Sequence, residues 1–130
     1  MDSIRDLIPK DKFDNSRIDN LCELTDKEIE PIIFNLLEWL QDYNWPIAKD
    51  ILPIVILHQN VAVPHIIAIL RGDDMIWIYW LIELVIPYLM HSNKELVKGE
   101  LERLSSLDVT DEDVEEVVRA AKNCLEFYYT

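Results

Sequence analysis

Glycine is almost missing from this chain, with Gly72 and Gly99 the only two among 130 residues. A phosphate-cradling loop brings several backbone N–H groups close to its ligand, and two isolated glycines cannot build one. Sheet-rich and loop-rich folds also consume turn residues, so the shortage favours helices. Cysteine is as scarce. Cys22 and Cys124 lie far apart and form no Cys-x-x-Cys pair. Each falls on an apolar position of a predicted helix. Both are therefore expected as small core residues in a reducing compartment, with a disulfide between the chain ends as the lesser alternative. The histidines, His58, His65 and His91, lack the His-Glu-x-x-His or paired Cys/His spacing of a zinc site. His58 and His65 flank a predicted turn and are expected in capping or surface roles. No Gly-x-Ser-x-Gly or cysteine–histidine signature appears. The sequence thus implies no cofactor, no metal and no enzyme.

Positive charge is short too. There are 12 basic against 25 acidic residues, a formal net charge of −13. Such a field repels phosphate backbones, which argues against nucleic acid as partner. It attracts a basic protein and speeds the encounter, although solubility alone would also account for it. The start of the chain has no basic region followed by an apolar run, so no signal peptide is expected and a cytoplasmic location is. Nor is any apolar run long enough to span a bilayer. The longest, Met75–Met90, contains Glu83 and Pro87 and falls short of the roughly 20 residues required, so no membrane segment is expected.

What is present is hydrophobic residues, 50% of the chain, at helical spacing. The expectation is an all-α, single-domain protein with an irregular N-terminal arm over 1–16 and a helical-repeat domain over 17–130. Ile18, Leu21 and Leu24 mark a short first helix. Thr25 with Glu28 reads as a capping box. It opens a helix to about Gln41 with Ile29, Ile32, Ile33, Leu36, Leu37 and Leu40 inward and Pro31 in its first turn. Asn44 is the expected N-cap of the next helix, with Pro46 early in it. Gln59-Asn60 reads as a turn, Val63-Pro64 as the start of a short helix, and Gly72 as its left-handed C-cap. The helix opened by Asp73 and Asp74 is apolar on nearly every side, so it should be wrapped by others. His91-Ser92-Asn93 reads as a turn before a helix with Val97, Leu101 and Leu104 on one face. Thr110 is the expected N-cap of the last helix, whose inward stripe is Val114, Val117, Val118, Ala121, Cys124, Leu125 and Tyr128.

The chain also echoes itself. Asp42-x-x-Trp45 recurs as Asp74-x-x-Trp77, an offset of 32, and Pro31-Ile32-Ile33 recurs as Pro64-His65-Ile66, an offset of 33. Leu70 maps to Leu104 and Pro53 to Pro87, both at 34. Agreement on one period predicts a HEAT-like α-solenoid of about three helix pairs.

Four blocks carry a resemblance: Leu7-Ile8-Pro9-Lys10; Glu38-Trp39-Leu40-Gln41-Asp42-x-Asn44-Trp45-Pro46-x-Ala48; Val63-Pro64-His65-Ile66; and Asp73-Asp74-x-x-Trp77-x-Tyr79-Trp80. In this order they resemble a bacterial family catalogued as domain of unknown function 5071, over residues from about 7 to about 128. The resemblance implies a small HEAT-type helical repeat and no established activity. By analogy, small acidic bacterial proteins of this kind often serve as immunity partners of toxins. Where the family commonly carries lysine in the Trp-x-Tyr-Trp block, Ile78 stands here.

The functional expectation is a non-enzymatic protein-interaction module of immunity type. It would bind a basic protein partner, a toxin by the analogy, through an acidic surface. Its candidate partner-binding residues are Asp42, Asn44, Trp45, Asp73, Asp74 and Trp77. Carboxylates beside tryptophan suit arginine or lysine side chains. The run Asp108–Glu116 competes with this rim as the acidic site. The alternative is a small-molecule-binding or enzymatic pocket between repeats around Glu83 and His65, since a carboxylate buried in an apolar helix would mark a site.

Overall fold

The computed structural model describes residues 3–129, and their regular structure is all helical, with no strand among the described residues. The chain divides into two compact units, one ending at His65 and the other beginning at Ile66. The division falls inside a helix. No single helix among the described residues is long and apolar enough to cross a membrane.

The first unit opens with a 3-10 turn, Ile4–Leu7, closed by a capping box between Ser3 and Asp6. The arm expected to be irregular is therefore partly wound. It is also tied down: Pro9 is buried, and Ile47 N–H donates to the Lys12 carbonyl at 2.9 Å. Helix α1 (Ile18–Cys22) buries Leu21. Cys22 is exposed, against the expectation of a core residue. Helix α2 (Asp26–Ile29) begins at the predicted capping box, with Thr25 Oγ1 accepting from Glu28 N–H and Glu28 Oε1 from Thr25 N–H. These bonds hold Glu28 below the usual carboxylate range.

Pro31 does not sit in the first turn of one long helix. It interrupts the winding with a 3-10 turn, Glu30–Ile32, before α3 (Ile33–Glu38) resumes. Proline offers no N–H and crowds the preceding turn, so the α pattern yields there. The inward stripe survives, with Ile29, Ile32, Ile33, Leu36, Leu37 and Leu40 all fully buried. Helix α4 (Pro46–Leu57) is capped by Trp45, not Asn44. The residue before a proline is pushed into extended backbone, and Trp45 at φ −67°, ψ 129° is in that region.

At His58 the chain turns, and α5 (Gln59–Leu70) starts at once, in place of the expected turn. Pro53 and Pro64 both lie within continuous α-helix. Both are exposed, as are Lys49 and Asn60 four residues earlier, so each proline interrupts the ladder on the wetted side of its helix. His58 is buried rather than at the surface. Its Nδ1–H donates to Asp26 Oδ1 at 2.7 Å, joining the start of α2 to the α4–α5 junction.

In the second unit, Gly72 follows α5 but no glycine has positive φ, so the left-handed cap does not form. Its use is space: a Cβ there would meet the Ile69 carbonyl oxygen at 3.2 Å, a carbonyl that already accepts from Gly72 N–H. Arg103 instead serves the end of α5, donating to the Leu70 carbonyl at 2.8 Å. Asp74 caps α6 (Met75–Leu84), and a 3-10 turn, Ile86–Tyr88, follows at Pro87. The helix is not wrapped. Ile78, Leu81 and Ile82 are buried, while Ile76 is 52% exposed. Helix α7 (His91–Ser105) begins at His91, in place of the expected turn, and buries Asn93 beside the predicted Val97, Leu101 and Leu104. Helix α8 (Glu112–Tyr128) is capped by Asp111 instead of Thr110, its side chain accepting from Val114 N–H at 2.9 Å. It packs on α6 and α7. Val117, Val118, Ala121 and Cys124 are buried as expected, with Ala120 added, but Tyr128 at the end of the stripe is exposed.

Candidate functional site

The α3–α4 corner holds the first group of candidates. Tight turns end α3, with Trp39 N–H donating to the Leu36 carbonyl and Leu40 N–H to that of Leu37. Leu40 plugs the core beneath. Asp42 Oδ1 then accepts from Asn44 N–H at 2.8 Å, and Asp42 carbonyl from Trp45 N–H at 3.1 Å. This side-chain-braced turn folds the chain back sharply enough for Trp45 to meet Trp39. Their ring centroids are 5.6 Å apart with planes at 71°. Both tryptophans are half-buried and line a hollow of about 270 Å³ that Ile8, Pro9 and Glu38 help to wall. Asp42 thus reaches its own backbone, and Asn44 contributes an N–H rather than a cap.

The second group stands at the head of α6. Asp74 Oδ1 accepts from Trp77 N–H at 3.1 Å, and the Asp74 carbonyl from Ile78 N–H at 2.9 Å. Asp73 and Asp74 are exposed and Trp77 is half-exposed. Negative charge is stabilised at this end of the helix by the dipole and by the free N–H groups. The packing of α8 on α6 then brings the acidic run against the helix that carries Trp77, although none of the six rim candidates lines the hollow they form. The acidic run Asp108–Glu116 opens α8, and Asp113 and Glu116 share a hollow of about 120 Å³ with Met75, Ile76, Tyr79 and Trp80 of α6. Asp113 and Glu116 are three apart, as are Ile76 and Tyr79, so each helix offers one face to the notch. Trp80 crosses Tyr79 edge to face at 5.1 Å. Burial pushes the Tyr79 hydroxyl pKa up, helped by the charges of Glu83 and Glu116. Tyr79 stays neutral at the notch. Arg119 answers part of the acidic run, binding Glu115 at 3.1 Å and Glu116 at 3.0 Å.

Glu83 is exposed, so the buried carboxylate that motivated an enzymatic pocket is absent from this helix. A hollow of about 210 Å³ does lie beside it, walled by Pro87, Asn123, Cys124, Phe127 and Tyr128. Burial raises the Cys124 thiol to about 11, which makes it a poor nucleophile there. His65 stands elsewhere, tilted against Phe34 at 5.7 Å. No cluster of three or more His, Cys, Asp or Glu suited to a metal occurs among the described residues.

These features define an all-helical protein whose surface hollows combine aromatic walls with carboxylates. The family model described as "Domain of unknown function (DUF5071)" matches residues 7–125, and the chain belongs to that family. None of the curated proteins matches it.

Proposed function

We propose that the chain is a non-enzymatic protein-interaction module, a HEAT-like helical repeat in architecture, that binds a basic partner through the α6–α8 face. The observation that carries this reading is the notch itself, in which Asp113 and Glu116 stand beside Ile76, Tyr79 and Trp80. A lysine or arginine has two needs, an apolar bed for its stem and a carboxylate or ring face for its head. The notch offers both. Asp73 and Asp74 at the head of α6, and the remaining acids of the α8 run, extend the negative field that would steer such a partner. Inhibition of a toxic enzyme by steric blocking, the immunity-type role, is the form this reading takes if the partner is a toxin.

The test is a titration with a lysine- and arginine-rich peptide at low and high salt, alongside recovery of partners from cell extract. Binding should weaken steeply as the Debye length shrinks from about 10 Å at 0.1 M to about 3 Å at 1 M. The double variant Asp113→Lys, Glu116→Lys should abolish it by reversing the charge of the notch; both positions are exposed, and loss of the Arg119–Glu116 pair should cost no more than about 1 kcal/mol. Recovery of nucleotides or small molecules with no protein, or peptide binding untouched by the double variant, would overturn the reading.

A further inference from the structure

We infer that the Trp39–Trp45 corner is a binding site for a quaternary ammonium group, independent of the α6–α8 notch. Two indoles whose centroids are 5.6 Å apart, with planes at 71°, line one hollow together with a carboxylate, so a cation there meets indole and negative charge at once. Ring faces are negative, and they attract a diffuse cation most when it is partly desolvated. Glu38 lies in the same hollow, and Asn35 Nδ2 donates to its Oε1 at 3.2 Å, which orients the carboxylate. Ile8 and Pro9 add hydrocarbon to the lining. Among the described residues no lysine or arginine lines the hollow, and the net charge of −13 raises the local concentration of any cation.

The lining decides which cation. A primary ammonium brings three N–H donors, each costly to bury without an acceptor, and Glu38, already engaged by Asn35, is the one charged acceptor among the lining residues. A trimethylammonium head carries no donor. Its charge is spread over methyl groups that suit indole, Ile8 and Pro9, and a single carboxylate balances it. The hollow, about 270 Å³, is just below the range of about 300–1,000 Å³ for drug-sized ligands, which fits a small head group. Its walls are also fixed in advance. The Asp42–Asn44 turn sets Trp45, and Pro9 is buried between the anchored stretches of the N-terminal arm. Little ordering is then left to be done on binding.

The head group has two sources, a free choline-like molecule or a trimethylated lysine side chain. Indole N–H signals of uniformly labelled protein separate them in one experiment, because each of the four tryptophans reports its own surroundings. Choline chloride and a short peptide containing trimethyllysine are titrated in parallel with 3,3-dimethylbutan-1-ol, the uncharged shape-match of choline, and with methylammonium. The Trp39 and Trp45 signals should shift saturably with choline, with the peptide or with both, leaving Trp77 and Trp80 still. The uncharged alcohol and methylammonium should each bind at least about fivefold more weakly. Trp45→Phe should fold and retain weakened binding, and Glu38→Gln should weaken it severalfold with unchanged circular dichroism. Equal binding of the uncharged alcohol or of methylammonium, or no saturable shift with either quaternary probe, would overturn the inference.

Discussion

At the α3–α4 corner the Asp42 carboxylate braces a turn, and the following tryptophan is the last residue before a helix. At the head of α6 the Asp74 carboxylate caps the helix itself, and its tryptophan is already three residues inside. The two corners share the spacing Asp-x-x-Trp, yet Trp45 donates to a backbone carbonyl and Trp77 to a side-chain oxygen. Pro46 makes the difference. It holds Trp45 extended and delays the helix, whereas Met75 lets winding begin directly after Asp74. The same divergence recurs among the prolines paired by offset. Pro53 and Pro64 ride within α-helix, while their counterparts Pro87 and Pro31 sit in 3-10 turns. An echo in sequence therefore fixes which residue types recur without fixing their helical phase, and the tryptophans of the two corners face different neighbours.

The comparison breaks most readily at the aliphatic side chain beneath each corner. Leu40 and Ile78 are both fully buried. Leu40→Ala and Ile78→Ala should each cost about 2–5 kcal/mol in urea unfolding. Ile78→Lys should cost still more, about 4 kcal/mol or above, because it buries an unpaired ammonium. The position where the resemblance expects lysine is thus core in this chain. Ile76→Lys, on the exposed side of the same helix, should change stability by less than about 0.5 kcal/mol. Equal costs for the two lysine variants would mean that α6 does not present the faces described.

The carboxylates should separate next. Asp74→Ala removes a helix cap and should cost about 1 kcal/mol, with Asp74→Asn recovering most of it. Asp42→Ala removes a bond within a surface turn, and its cost should stay under about 0.5 kcal/mol. If Asp42→Ala proved as costly as Asp74→Ala, the turn would be carrying weight that its single side-chain bond does not explain.

Much of the fold is legible in the residues themselves. The Thr25–Glu28 box, the stripe from Ile29 to Leu40, and Val97, Leu101 and Leu104 follow from local spacing, and local spacing is what a sequence displays. The helix starts at Gln59 and His91 are not legible: Met90 gives the second no side-chain cap to announce it, Gln59-Asn60 reads locally as a turn, and packing of the apolar face extends both helices past the point where local signals stop. Gly72 misleads because glycine ends helices for two reasons, positive φ and close approach, and only the second applies. His58 and Asp26 are 32 residues apart, and nothing local in either segment predicts their bond. The notch is half legible. The acidic run and the tryptophan-bearing helix both stand out as candidates, but their meeting is a fact of α8 packing on α6.

The last test concerns how the stretch entering α6 is held. Arg71 Nε donates to Glu100 Oε1 at 2.8 Å and Arg103 Nε to Oε2 at 3.3 Å, while Arg103 also holds the Leu70 carbonyl at the end of α5. Burial alone would raise the Glu100 pKa, but the bonds and charges of the two arginines outweigh it and leave it lowered from 4.5. A carboxylate with a depressed folded pKa stabilises the protein above its unfolded value and loses that contribution as pH falls through the folded one. Glu100→Gln should therefore cost up to about 1 kcal/mol at pH 7, the range of partly exposed ion pairs. The gap from wild type should narrow as pH drops below 4.5. Because the brace ends beside Gly72 and Asp73, the variant should shift the Trp77 indole signal while leaving that of Trp45 in place. A deficit that persists unchanged into acid would show that Glu100 acts through packing and not through its charge.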